Sequence, residues 1–181
     1  MNIPTVTPEF ERLSPGKVDS LSRKLTVSTE GKTYIEEQKQ STGFIARISN
    51  ADSYFKVIKN YAPGGQLRDK GVIFNSGSFP IGKWYYFNES GQLTKTEDND
   101  TGYRFDFEDL YKFLEKHNIS LTLGAIPPLS GFHTTIEKKE QAGQPVWVVT
   151  WKKEPQLLEE IILDGKNGRV ISTKDKPITE G

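Results

Sequence analysis

Tyr61-Ala62-Pro63-Gly64-Gly65-Gln66-Leu67 and Phe87-Asn88-Glu89-Ser90-Gly91-Gln92-Leu93 are one block written twice. An aromatic residue, a short polar turn and the triplet Gly-Gln-Leu recur at an offset of 26 residues, Gly65 to Gly91. A fixed period of this size marks units that bury their faces by stacking on neighbours. Between the copies, Gly71-Val72-Ile73-Phe74-Asn75 and Gly82-Lys83-Trp84-Tyr85-Tyr86-Phe87 are rich in the branched and aromatic residues that strands favour. Glycines at the corners supply the positive φ that tight hairpins need. The stretch therefore reads as consecutive antiparallel hairpins.

Working towards the N-terminus, Ala51–Asn60 leads into the first copy as a strand, and Ile45–Ser49 is another. Lys24–Ser28 and Lys32–Glu36 flank Glu30-Gly31, a hairpin signal. Residues 1–20, with Pro4, Pro8 and Pro15, read as an extended arm with a short turn near Glu9–Leu13. Towards the C-terminus the period changes. Phe107, Leu110, Phe113 and Leu114 fall at spacings of three and four, which predicts a helix over 106–117. Asp106 is its N-cap, acids fill the first turn, Lys116 and His117 the last, and Asn118 ends it. Val146–Trp151, Glu160–Asp164 and Arg169–Ser172 then read as strands, the last two joined across Gly165-Lys166-Asn167-Gly168. The expected fold class is α+β: antiparallel hairpins followed by a helix packed on a C-terminal antiparallel sheet. The expected segments are 1–53 (arm and first strands), 54–103 (repeats), 104–173 (helix and sheet) and 174–181 (a mobile tail).

Tyr61, Gly65, Leu67, Gly71, Gly82, Trp84, Tyr86, Gly91 and Leu93 resemble a MORN-type repeat in its Tyr-x-x-x-Gly-x-Leu variant, over about residues 54–103. Only about two units are present, so the resemblance is to a short stack. Trp147, Val149, Ile162, Asp164, Gly168, Val170 and Ile171 give a less specific resemblance to a PepSY-like module over about 105–172. The first resemblance implies a bacterial immunity or antitoxin-like protein that neutralises a toxin or effector by direct binding. The second implies a periplasmic or cell-envelope module acting on an envelope partner or a protease. A trimmed leader would imply the periplasm, and an intact start the cytoplasm.

Composition narrows the chemistry. The 181 residues carry 24 Lys+Arg and 24 Asp+Glu, a formal balance that argues against a dedicated nucleic-acid binder. Cysteine is absent, which removes disulfides, thiol nucleophiles and thiolate metal sites together. His117 and His133 are the only histidines, too few for most zinc sites. No apolar run approaches the roughly 18 residues of a membrane span. The expectation is a non-enzymatic protein with no cofactor and no metal, whose partner is another protein.

Candidate sites follow from that exclusion. Ser130 and His133 suggest a nucleophile and base, but their spacing fits no nucleophile elbow, and a loop serine beside a surface histidine is the plainer reading. Asp98-Asn99-Asp100-Thr101-Gly102 has part of a calcium loop without a closing Glu; the alternative is solvated hairpin acids. Glu159 and Glu160 are adjacent on a strand and point to opposite faces. The aromatic run is the strongest candidate. Alternation places Trp84 and Tyr86 on one face and Tyr85 and Phe87 on the other. With Trp84, Tyr86, Leu67 and Leu93 as core, Lys83, Tyr85 and Phe87 stand outside beside Asp98 and Asp100, and these five residues form the expected partner surface. The alternative is that both faces are covered.

Overall fold

The computed structural model describes residues 2–77, 79–127 and 130–178. Seven strands form one antiparallel meander, each paired with the next: β1 (Thr26–Glu30), β2 (Thr33–Gln40), β3 (Gly43–Asn50), β4 (Phe55–Tyr61), β5 (Leu67–Phe74), β6 (Pro80–Phe87) and β7 (Leu93–Asp98). A second meander contains β8 (Thr135–Gln141), β9 (Gln144–Glu154), β10 (Leu157–Asp164) and β11 (Val170–Pro177). Helix α1 (Pro15–Ser20) precedes the first sheet, and α2 (Phe107–Lys116) lies between the sheets in sequence. The chain is α+β, as the residue pattern predicts.

The duplicated block folds the same way twice. Ala62 N–H donates to the Gln66 carbonyl and Gly65 N–H to that of Ala62; Asn88 N–H donates to the Gln92 carbonyl and Gly91 N–H to that of Asn88. Gly65 and Gly91 have φ of +83° and +84°, a region that costs glycine little. The ladder slips between Asn60 and Tyr61, and again between Tyr86 and Phe87. After each slip the aromatic residue, Tyr61 or Phe87, turns into the core. The copies differ at their last residue: Leu67 is fully buried between neighbouring strands, whereas Leu93, on edge strand β7, is 46% exposed.

The face assignment from the sequence is reversed. Tyr85 and Phe87 are buried, at 9% and 8% exposure, while Trp84 and Tyr86 lie half-buried on the outer face. Alternation says which residues share a face but not which face meets the core. Here Tyr85 and Phe87 join Phe44, Ala46, Tyr61 and Leu67 in an inner cluster that the N-terminal segment covers with Val6, Leu13 and Val18. On the outer face the Trp84 ring lies against Gly71, where an added Cβ would meet the ring at 2.0 Å.

The larger core joins both sheets. Phe55, Val72, Phe74, Phe79 and Ile81 of the first sheet and its loops meet Ile136, Trp147, Val149, Ile161 and Leu163 of the second. Helix α2 inserts Phe107, Leu110 and Leu114 into the same cluster. The stripe thus packs on the C-terminal sheet as expected, and on the hairpins as well. Asp106 caps the helix by accepting from Asp109 N–H at 3.0 Å. At the other end the His117 ring stacks on Phe113, centroids 4.0 Å apart.

Three other expectations need correction. The expected arm does not extend to residue 20: Arg12 bridges to Gln66, and Pro15–Ser20 forms α1. The first sheet runs without interruption across the expected boundary at residues 53 and 54. Lys174–Pro177, expected in the tail, continue β11, and Ile178 N–H donates to the Gln156 carbonyl. The rest of that tail, Thr179–Gly181, lies outside the described residues.

Candidate functional site

A concavity lies where α2 meets the β6–β7 end of the first sheet. It is a cleft of about 630 Å³. Tyr103, Phe107, Tyr111 and Trp147 give it an aromatic floor, and Asp100, Asp106, Glu108 and Glu115 an acidic rim. Helical periodicity explains part of this grouping. Glu108, Tyr111 and Glu115 follow one another at spacings of three and four, so they share a side of α2 next to the buried stripe. The rim cation Lys112 is engaged by Glu108 at 3.2 Å and Asp109 at 3.8 Å.

One wall already holds an ammonium group. Lys138 Nζ sits 4.8 Å from the Tyr103 ring centroid, 5.2 Å from that of Trp147 and 5.5 Å from that of Phe79. It donates to Asp100 Oδ1 at 2.6 Å and to the Asn99 carbonyl at 2.8 Å. Burial lowers its pKa, and Asp100 partly offsets this. The Asp100 carboxylate also accepts Gly82 N–H at 2.9 Å, so it ties β6, β8 and the turn after β7 together. The Tyr111 hydroxyl lies 3.4 Å from that of Tyr54. Its pKa is raised, first by that contact, then by burial and by Glu115.

The expected partner residues separate into two groups. Lys83 and Asp98 are exposed and directly opposite each other on β6 and β7, and Asp100 is half-buried. Lys83 and Asp100 line a second cleft of about 380 Å³, which shares Ile3, Ile81 and Asp100 with the first. Tyr85 and Phe87 are core residues and leave the expected contact surface, because the inner cluster needs them. On the outer face, Trp84 Nε1–H donates to Asp69 at 3.0 Å, and Asp69 also accepts from Asn60 at 2.7 Å. Tyr86 donates to Glu97 at 2.8 Å under Lys95. Burial and then that carboxylate push the Tyr86 pKa up to about 12.

Ser130 and His133 do come together, with Oγ 2.6 Å from Nε2, and Thr122 Oγ1 lies 2.8 Å from Nδ1. Ser130 Oγ is also 2.7 Å from the Pro127 carbonyl. A carbonyl can only accept, so a serine proton donated there pairs with the tautomer in which Nε2–H donates to Oγ and Nδ1 accepts from Thr122. In that tautomer Nε2 carries the proton and the contact is a hydrogen bond from the ring to the serine. Glu159 accepts from Trp151 and Lys153 while Glu160 pairs with Lys176, so the two carboxylates serve opposite faces of β10. Among the described residues no three His, Asp or Glu side chains are grouped to hold a metal ion. Among the same residues no helix is long and apolar enough to cross a membrane.

The sequence reading missed the cleft itself. Tyr103 and Tyr111 lie off the apolar stripe, and Lys138 belongs to a strand that was not expected. No family model matches the chain, and no curated protein or solved structure matches it either.

Proposed function

We propose that this chain is a non-enzymatic binding protein of the immunity or antitoxin kind, which holds a toxin or effector at the acid-rimmed aromatic cleft. The observation that carries this reading is the cleft's composition. Aromatic rings beside charge are the usual anchors of tight protein interfaces. Carboxylates at the rim steer a basic partner into place and sharpen its selection. The exposed pair Lys83 and Asp98 continues the polar rim beyond Asp100. The MORN-type resemblance supports the neutralising role. The competing reading, an envelope module acting on a protease or assembly partner, rests on the PepSY-like resemblance and would use the same cleft.

The test is binding kinetics with the purified product of each adjacent reading frame. Saturable binding to one of them is expected. Asp98→Lys with Glu108→Lys should slow association severalfold at low salt, the effect shrinking as ionic strength rises. Asp100 is a poorer probe, because reversing it would strand Lys138. Binding that is indifferent to both reversals would remove the cleft rim from the interface.

A further inference from the structure

The two clefts are separated by one strand of chain. Ile3 lines both, and Pro4, Thr5 and Val6 line the smaller one. This N-terminal segment is held very unevenly. Its distal part is anchored: Leu13 N–H donates to the Gly65 carbonyl, Leu67 N–H to that of Glu11, and Glu11 receives both Lys59 and Lys70. Its first described residue is tied by Ser53 Oγ, which donates to the Asn2 carbonyl at 2.6 Å. Between these ends, Ile3 to Phe10 make no hydrogen bond to the rest of the described residues. They are held by side chains alone: Val6 packs against both cores, and Phe10 stands edge-on to Phe87 at 5.8 Å and lies against Gly91.

We propose that the groove beneath residues 3–10 is a peptide-binding site, and that the chain's own arm is its built-in, exchangeable occupant. The ligand class is an extended protein segment carrying aliphatic and aromatic side chains at the spacing of Ile3, Val6 and Phe10, followed by an acid. The groove supplies the complement: apolar Val72, Ile81, Tyr85 and Phe87 along its length, and two lysines at its end. A segment without backbone hydrogen bonds belongs to the low-stability end of a protein's local opening spectrum. When it lifts, the clefts on either side of Ile3 become one continuous groove. This site stands whether or not the partner is a toxin.

The probe is a fluorescent peptide of residues 2–13 added to the full-length chain, with fluorescence anisotropy as readout. A control peptide carries serine at the positions of Val6 and Phe10. In the wild-type chain the tethered arm competes, so binding should be weak. In the full-length Phe10→Ala chain the tethered competitor is crippled, and the peptide should bind at least about tenfold tighter. The control peptide should bind neither chain. Amide exchange at the non-proline residues of 3–10 should be fast in both chains and slow at Phe74 and Trp147, which shows that the body is folded. Equal binding to the two chains would place the peptide elsewhere and overturn the proposal. So would an absence of binding to a folded Phe10→Ala chain.

Discussion

Trp84 and Phe87 lie three residues apart and have opposite environments. Phe87 is buried in the inner cluster, so Phe87→Ala should cost about 3–5 kcal/mol, as for other aromatic truncations in cores. Trp84 is half-buried over Gly71 with one hydrogen bond to Asp69, and Trp84→Ala should cost only about 1–2 kcal/mol. Urea denaturation of the two variants checks the ranking, and a larger loss at Trp84 would mean that the faces are the other way round. The repeat itself contained the clue. Phe87 is the equivalent of Tyr61, and both follow a ladder slip that turns the aromatic residue into the inner cluster. β-propensity alone carried no such information, since Trp84 through Phe87 are all strong strand formers.

At the scale of the element, α2 was legible almost to the residue because a 3.6-residue apolar stripe, a capping aspartate and a charged gradient all agree. Its cap gives a simple prediction: Asp106→Ala should lower stability by about 1 kcal/mol in thermal or urea unfolding. Strand β8 was not legible. It has the sequence Thr135-Ile136-Glu137-Lys138-Lys139-Glu140-Gln141, in which only Ile136 is buried. Its other inward group is a lysine lying on aromatic rings, which no apolar alternation reports. The docking of the arm was not legible for a similar reason. Its strongest anchor is a charge set in which Lys70, at 2% exposure, donates to the Glu11 carboxylate. Burial raises the Glu11 pKa, but hydrogen bonds from Lys59 and Lys70 outweigh it and hold the carboxyl below the value of 4.5. A carboxyl depressed in the fold stabilises it above its unfolded pKa, and that contribution is lost as pH falls through the folded value. Thermal stability should therefore drop as pH goes from about 5 to about 3, and Glu11→Gln should start lower at neutral pH and flatten that drop. A Glu11→Gln profile parallel to wild type would show that the ion set does not hold the arm.

For the whole molecule, the decisive feature is that a single hydrophobic cluster spans both sheets and α2. The repeat and strands β9 to β11 were each visible in the sequence, but the contacts joining them were not, because pairing partners in space leave no periodic trace. A joint core predicts one cooperative unfolding transition. Trp84 reports on the first sheet and Trp147 on the second. Chains in which Trp84 alone or Trp147 alone is left of the three tryptophans should therefore show coincident urea midpoints relative to their own far-ultraviolet circular dichroism. Separated midpoints would mean two units. The joint core also shapes the cleft. The cleft draws its walls from α2, the second sheet and the turn after β7, so its shape depends on all three staying docked.

The claim that this body neutralises a partner is tested most directly by growth. Each adjacent reading frame is induced in a bacterial host with and without the chain, in the same compartment and at matched levels. The account predicts that one neighbour arrests growth, that the chain restores it, and that Asp98→Lys with Glu108→Lys weakens the rescue without lowering the chain's abundance. Arrest that persists with the folded chain abundant beside the toxin, or the absence of any toxic neighbour, would contradict it.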